Sequence, residues 1–239
     1  MEQNPQHLSY TAREACFQVK ARKGMVNKDY VLRLAERFGR MLAIIMGLRK
    51  YNKHEEALLA IDDYFLQTLG LTTGFINSAS EEMLLSMISP LGVLNVEKAL
   101  WLAVLLKEEG DIYLELDKPD ESYYRYIKSL FFFTEAALRS NDVKDLDLAT
   151  PIDDILKKLA DFELPLPLKN KLFRYFELTG RYARAENMLF EITEGEKPVE
   201  GEILEQGKAF YERLLKKSEA DLKAGGLTRE EVEEGLQRW

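Results

Sequence analysis

The sequence contains a single cysteine, Cys16, among 239 residues. One thiol cannot form an intrachain disulfide or supply the thiolate cluster of a structural zinc site. Histidine is also scarce, since only His7 and His54 occur, and the residues after His54 lack the second histidine of a zinc-protease helix. We therefore predict no metal site and no cofactor, a reducing compartment such as the cytoplasm, and a solvent-facing His54.

Long apolar runs and catalytic signatures are missing as well. The longest apolar stretches, Met41–Leu48 and Ala99–Leu106, are far shorter than the ~20 residues that cross a bilayer, and the N-terminus lacks the apolar core of a signal peptide. No phosphate-binding loop, dinucleotide-binding glycine pattern or nucleophile elbow occurs. The formal net charge of −8 argues against binding to nucleic acid or to an anionic membrane. These absences predict a protein that is not an enzyme and that works away from nucleic acid and membrane.

Apolar residues instead recur at steps of three and four along most of the chain, without any sustained alternation of period two. This pattern predicts an all-α fold. Residues 1–26 are predicted to form a loose segment with a short helix, and residues 27–239 a single helical domain. Capping residues, prolines and glycines divide that domain into helical hairpins, single helices and linkers. The hairpins are predicted at Asn27–Gly70, Asn95–Leu138 and Phe173–Ile192, the single helices at Ser80–Ile88 and Pro151–Phe162, and the linkers at Leu71–Ala79 and Leu164–Pro167.

The C-terminal part is predicted to contain two further helices. One carries Phe210 and Tyr211 and continues to the pair Gly225-Gly226, which would end it. The other opens on a capping box at Thr228, where Glu231 stands three residues later, and runs to Trp239.

The three hairpins share a pattern of turn and small residues. A turn residue lies five positions before a small residue, and an apolar or aromatic residue lies four positions before the turn. The sets are Leu48, Asn52 and Ala57; Tyr113, Asp117 and Ser122; and Phe176, Gly180 and Ala185. The small residues stand 65 and 63 positions apart, close to twice the ~34-residue unit of a tetratricopeptide repeat. Gly110, three residues before Tyr113, matches that family's small residue in the first helix. Ile45 and Phe173 occupy the corresponding positions of the other two hairpins.

The chain thus resembles a divergent tetratricopeptide-repeat protein with irregular inserted helices. It also resembles a group of uncharacterised bacterial proteins, through an opening of the type NKDYVLRL and an ending of the type FYERLL followed by LTREEVEEGL. The first resemblance implies hairpins stacked as a right-handed superhelix whose first helices form a concave wall. Its polar positions, counted from the aligned residues, give the following partner-binding candidates: Arg49, Lys107, Asp111, Glu115, Asn170, Arg174 and Glu177.

The aromatic run of the second hairpin offers a further surface. Most of these rings are predicted to pack between helices, whereas Tyr124 and Phe132 are predicted to face away from the hairpin partner. The mixed charges of the candidate wall suit a protein or peptide partner, with a homodimer as one form of that contact. The alternative function is a small-molecule or signalling-peptide sensor that uses a pocket between helices.

Overall fold

A computed structural model describes residues 25–139, 146–193 and 201–239. The predicted short helix within residues 1–26, with Cys16 and His7, lies outside these ranges. Of that predicted loose segment only residues 25 and 26 are described, and they begin the first helix. Within the described ranges most residues lie in helices and none lies in a strand, so the prediction of an all-α fold is confirmed. None of the described helices combines the length and apolar character that crossing a membrane requires.

The chain divides into two compact units, the first ending at Phe162 and the second beginning at Glu163. The grouping of residues 27–239 into one domain stays a prediction. The helices of the first unit are α1 (Met25–Lys50), α2 (His54–Leu69), α3 (Thr73–Ser78), α4 (Glu81–Met87), a 3-10 turn (Pro90–Gly92), α5 (Val96–Glu115), α6 (Pro119–Arg139) and α7 (Ala149–Lys158). Those of the second unit are α8 (Leu166–Leu178), α9 (Tyr182–Thr193), α10 (Gly201–Leu215), α11 (Glu219–Ala224) and α12 (Arg229–Arg238).

Helix α5 is the centre of the first unit. Every residue from Ala99 to Ile112 except Lys107 is buried, and the helix packs against α1, α2 and α6. A helical segment that is apolar on all sides, as Ala99–Leu106 is, is expected to be surrounded by other helices rather than to lie on a surface. The apolar run in the sequence therefore reflects the central position of α5.

The three predicted hairpins close with the same backbone turn. Asn52, Asp117 and Gly180 all adopt the left-handed conformation, with φ of 56°, 56° and 73°. In each turn the following residue donates its backbone N–H to a carbonyl five positions earlier. These bonds run from Lys53 to Leu48 at 3.0 Å, from Lys118 to Tyr113 at 2.9 Å, and from Arg181 to Phe176 at 2.8 Å. This pattern satisfies free carbonyls at the end of a helix and reverses the chain within a few residues.

Small residues allow the paired helices to approach closely. Ala57, Ser122 and Ala185 are all buried. A Cβ atom at Gly110 would lie 2.7 Å from Cε1 of Tyr126, closer than carbon atoms normally pack. Ser122 adds a hydrogen bond by donating its hydroxyl to the carbonyl of Gly110 at 2.9 Å. Helices α5 and α6 are therefore held together at backbone distance near their common turn.

The predicted linkers and helix ends differ from the structure in four places. The helix predicted at Pro151–Phe162 begins at Ala149 and ends at Lys158. The linker Leu71–Ala79 contains helix α3, because the Thr72 side chain accepts the N–H of Phe75 and caps a short turn. The predicted extended connector Leu164–Pro167 already contains the start of α8, where proline suits the first helical turn. The predicted long helix ending at Gly225-Gly226 is wrong: it stops at Leu215, and α11 begins separately behind a Ser218 cap.

Lys128 ties α6 to the end of α3. Its ammonium group is largely buried and donates to the carbonyls of Ile76 at 2.9 Å, Asn77 at 2.9 Å and Ala79 at 2.6 Å. Burial lowers the pKa of Lys128. A cation at the C-terminal end of a helix satisfies free carbonyls and interacts favourably with the helix dipole.

The 3-10 turn carries an unusual leucine. Leu91 has φ 54° and ψ 27°, the left-handed region that residues other than glycine seldom occupy, and its side chain is fully exposed. The neighbouring Val93 is exposed with ordinary extended backbone angles. The leucine therefore adopts a costly backbone conformation without burying its side chain.

In the second unit, α12 packs against α10 through glycine positions. A Cβ atom at Gly235 would lie 2.1 Å from the ring of Tyr211, and one at Gly207 would lie 2.3 Å from the ring of Trp239. The Tyr211 hydroxyl donates to Glu186 at 2.7 Å. The capping box at Thr228 and Glu231 is present as predicted.

Candidate functional site

Three of the predicted site residues lie on one face of α5, where they join charged side chains of α1 and α7. Seven ionic groups meet there and are called the α5 charge cluster. Its members are Arg49, Lys107, Glu108, Asp111, Glu115, Asp154 and Lys158. Residues four apart share a helix face, which explains why Lys107, Asp111 and Glu115 form one row along α5. The cluster contains four carboxylates and three cations.

Asp111 is the centre of this cluster. Its carboxylate accepts hydrogen bonds from Lys107 at 2.9 Å, from Lys158 at 2.7 Å and from the Tyr126 hydroxyl at 2.6 Å. Asp154 contacts the same two lysine ammonium groups, at 3.0 Å and 2.7 Å. Charge-assisted bonds of this length are the stronger kind of protein hydrogen bond. Helices α5, α6 and α7 are therefore joined through one buried carboxylate.

Arg49 links the end of α1 to the same helix. Its Nη1 donates to Glu108 at 2.7 Å, and its Nη2 donates to Glu115 at 2.7 Å. Glu115 also contacts Nε2 of His54 at 3.1 Å. The prediction that His54 faces solvent is wrong, because its side chain is only 17% exposed and lies against Glu115.

The pKa values follow from burial and pairing. Burial alone would raise the pKa of Asp111, but the charges of Lys107 and Lys158 outweigh it and lower the pKa to about 2. For Glu108, burial dominates and raises the pKa, although Lys107 and Arg49 oppose this effect. The pKa of Tyr126 is raised by burial and by the adjacent Asp111 charge. Such shifts mark functional sites and structural ion networks alike.

The inner part of the cluster has its charges paired within the chain. Lys107 is 15% exposed and Asp111 is 8% exposed, and both are bonded to groups of this chain. A partner could reach these two residues only by breaking their existing bonds, at the cost of leaving buried charges unpaired. At the outer end of the cluster Glu115 is 40% exposed, so a partner can contact it without breaking these inner bonds, whereas Arg49 is 17% exposed and bonded to Glu108 and Glu115.

An open cavity of about 560 Å³ lies at this outer end, beside the α1–α2 turn. It is called the turn depression and is lined by Met46, Arg49, Lys50, Asn52, His54 and Glu115. Met46 is 39% exposed. Lys50 is exposed and has no ion-pair partner among the described residues. The depression thus combines an apolar side chain, one unpaired cation and a fixed arginine–glutamate pair.

The remaining predicted site residues lie elsewhere. Tyr124 is 62% exposed, as predicted, and packs edge-on against Tyr123. The prediction that Phe132 faces outward is wrong, because its ring is fully buried. Whether Tyr124 contacts a partner stays a prediction.

Asn170, Arg174 and Glu177 are located on α8 in the second unit. Asn170 donates to the carbonyl of Leu166 at 3.0 Å. Glu177 accepts two hydrogen bonds from Arg213, at 2.6 Å and 2.9 Å. Arg174 is exposed. Their role in partner binding also stays a prediction.

Sequence reasoning missed five residues of the cluster environment. Glu108, Asp154 and Lys158 complete the ion pairs, and His54 and Tyr126 add hydrogen bonds. The spacing of Asp154 and Lys158, four apart on a helix, is a usable signal for an ion pair. The sequence contains no signal that α7 would turn this pair toward α5.

The described residues offer no group of three or more histidine, cysteine, aspartate or glutamate side chains that could hold a metal ion. A protein-family model, described as a family of unknown function (DUF6483), matches residues 25–239. No curated protein and no solved structure matches the chain.

Proposed function

The chain belongs to DUF6483, a family of unknown function, and we propose that it is a non-catalytic interaction module for a protein or peptide segment. The turn depression is the contact site in this proposal, and the protein acts in the cytoplasm. The observation that carries the proposal is the combination at this one site of exposed Met46, unpaired Lys50 and the fixed Arg49–Glu115 pair.

The chemistry of the depression defines the segment. Lys50 suits an acidic side chain or a terminal carboxylate, and Met46 suits an apolar side chain next to it. Exposed Tyr51, in the adjoining turn, adds an aromatic surface of the kind enriched at protein interfaces. The shape is open rather than enclosed, which suits a chain segment that crosses the surface. A short acidic and apolar peptide segment is therefore the proposed partner.

The common turn geometry of the hairpins supports a tetratricopeptide-like origin for the module. All three turns have a left-handed residue at the aligned position and the same backbone hydrogen bond. Close helix approach at Gly110 matches the small residue that the family places in a first helix. Stacking of the hairpins as a right-handed superhelix is part of this proposal.

The test selects peptides from a random library on the full chain and measures their binding by titration calorimetry. Lys50→Glu and Met46→Lys are expected to weaken the selected peptides about tenfold or more, because each removes a contact and adds an unfavourable one. Lys157→Glu, at an exposed lysine of α7, serves as the charge-matched control. Selection of no peptide, or equal binding by Lys50→Glu and the unchanged chain, would refute the proposal.

A second candidate is a sensor that binds a small molecule at the same depression. Its volume of about 560 Å³ lies within the range of small-molecule pockets. A thermal-shift screen of metabolites against the unchanged chain and Lys50→Glu distinguishes the candidates. Stabilisation of the unchanged chain alone by a metabolite would favour the sensor. A dimer disrupted by Met46→Lys, measured by light scattering, would identify the partner as a second copy.

A further inference from the structure

A second cavity, of about 270 Å³, lies among α1, α2 and α5. It shares no lining residue with the turn depression, so its role is independent of the proposed function. It is called the arginine cavity, and its lining residues are Arg37, Arg40, Met41, Tyr64, Gln67, Thr68 and Trp101. Two guanidinium groups and two aromatic rings thus meet in one small space.

The aromatic side of the arginine cavity is rigid. Trp101 is nearly buried, and its ring packs edge-on against Phe38 with centroids 4.4 Å apart. The ring of Tyr64 lies almost parallel to Trp101, at 6.3 Å between centroids. The Arg37 guanidinium lies 5.3 Å from the centre of the Trp101 ring. Trp101 is therefore covered by its neighbours, and the ring surface that remains open to the cavity is that of Tyr64, which Trp101 holds in place.

The charge of the cavity is positive. Arg37 pairs with Glu97, and the same Glu97 oxygen also lies 3.4 Å from the indole nitrogen of Trp101, which donates to it. Arg40, one turn further along α1, is exposed and has no ion-pair partner among the described residues. Two guanidinium groups and one carboxylate leave a formal charge of +1 in a chain whose net charge is −8. The unpaired cation is the group to which an anion would bind.

The polar lining adds hydrogen-bonding groups. Gln67 is exposed and carries an amide that can donate. The hydroxyl of Thr68 donates to the backbone carbonyl of Tyr64 at 2.6 Å, which fixes the side chain and leaves its oxygen as an acceptor. The cavity therefore combines a cationic group and a donor with an apolar ring surface.

We infer that the arginine cavity binds a small organic carboxylate with a flat apolar body. The carboxylate pairs with Arg40 and accepts from Gln67, and the apolar body packs against the half-buried ring of Tyr64. The volume is slightly below the range for drug-sized ligands, which limits the ligand to about one ring. A guanidinium group matches the geometry of a carboxylate, and this gives the site its selectivity for that anion.

The test uses benzoate as the probe, with inorganic phosphate and benzyl alcohol for comparison, in titration calorimetry on the full chain. Benzoate is expected to bind with a dissociation constant on the order of a millimolar and to weaken as salt is added. Benzyl alcohol lacks the charge and phosphate lacks the apolar body, so both are expected to bind at least about tenfold more weakly.

Arg40→Gln is expected to weaken benzoate binding about tenfold, because one charge-assisted hydrogen-bond pair is lost. Arg33→Gln is the matched control, since Arg33 is an exposed arginine two turns earlier on α1, and it is expected to leave binding unchanged. Equal binding of benzoate and benzyl alcohol, or of benzoate and phosphate, would overturn the inference. Unchanged benzoate binding by Arg40→Gln would overturn it as well.

Discussion

Replacing Asp111 with asparagine tests whether the α5 charge cluster stabilises the fold. The change keeps the size of the side chain but removes the charge that pairs with Lys107 and Lys158. It also places an amide donor where an oxygen now accepts, so at least one hydrogen bond of Tyr126 or a lysine loses its acceptor. Two largely buried ammonium groups would then share only Asp154 and Glu108 as counter-charges.

The size of the effect follows from the pKa of Asp111. Its fall from an ordinary value of 3.8 to about 2 corresponds to about 2 to 3 kcal/mol of stability at neutral pH. Because the folded-state pKa is lowered, this stability is fully present above the unfolded pKa and is lost as pH falls toward the folded pKa. Breaking a buried ion network costs about 3 to 5 kcal/mol in general. We expect Asp111→Asn to lose about 3 kcal/mol at neutral pH.

The assay is urea unfolding monitored by circular dichroism, at neutral pH and at about pH 3. The difference between Asp111→Asn and the unchanged chain is expected to narrow at the lower pH, since the aspartate of the unfolded chain, with its ordinary pKa of 3.8, takes up a proton there while the folded one stays largely ionised. Asp63→Asn changes an exposed aspartate of α2 and is expected to alter stability by less than about 0.5 kcal/mol.

Two outcomes would refute this reasoning. A loss no larger than that of the Asp63→Asn control would show that the cluster adds nothing to the stability of the fold. An equal loss at both pH values would show that the effect comes from packing rather than from charge. The double variant Asp111→Asn with Lys158→Met is expected to lose less than the sum of its two single variants, because the second change removes one of the unpaired cations.

Four further predictions concern the backbone and its caps. Gly110→Ala is expected to lose about 1 to 3 kcal/mol, because the new methyl group would meet the Tyr126 ring. Gly47→Ala, at a helical glycine with open space, is expected to gain up to about 1 kcal/mol. Lys128→Met is expected to lose about 2 to 4 kcal/mol, since three backbone carbonyls lose their donor. Leu91→Gly is expected to gain about 0.5 to 1 kcal/mol by releasing a left-handed leucine. Urea unfolding measures all of them.

Controls make these measurements specific. Lys157→Met removes an exposed lysine of α7 and is expected to change stability by less than about 0.5 kcal/mol. Val93→Gly is expected to destabilise, because that residue has ordinary extended angles and glycine only adds freedom to the unfolded chain. A loss of stability in Leu91→Gly would contradict the explanation given for the left-handed leucine. A neutral result for Lys128→Met would contradict the role of its three hydrogen bonds, and a gain in Gly110→Ala would contradict the predicted clash with Tyr126.

The turns of this fold could be predicted because their signals are local. Asn52, Asp117 and Gly180 are residue types that tolerate a left-handed backbone, and each follows a helix whose apolar face had already been recognised. Gly70 and the capping box at Thr228 were recognisable for the same reason. Each of these features depends on a few neighbouring residues, so a single sequence contains the necessary information.

The missed elements depend on weaker or distant signals. Helix α3 has only six residues and its last carbonyls are satisfied by Lys128, which no local pattern could indicate. The chain breaks after Leu215 because the Ser218 side chain caps a new helix. In the sequence, the glycine pair Gly225-Gly226 is a stronger signal for a helix end than this single serine. Helix geometry alone predicts that Phe132 faces outward, yet its ring is fully buried in the structure.

The candidate site was predictable only in part. The spacing on α5 correctly grouped Lys107, Asp111 and Glu115 on one face, and the hairpin alignment added Arg49. Periodicity cannot show which helix packs against a given helix face. The sequence therefore does not predict that α7 covers this face of α5. The sequence also does not distinguish Lys50 and Arg40 as unpaired cations, because whether a lysine or arginine has an ion-pair partner depends on the tertiary structure.

The contact between Lys128 and α3 also constrains the order in which the chain can fold. A six-residue helix is too short to persist alone in water. The carbonyls at its end accept hydrogen bonds from Lys128, which lies about fifty positions later in the chain. A ribosome adds Lys128 only after α5 and the first two turns of α6 have been made. The segment at residues 73–78 is thus expected to become stably helical only after Lys128 has been added, about fifty residues behind its own synthesis.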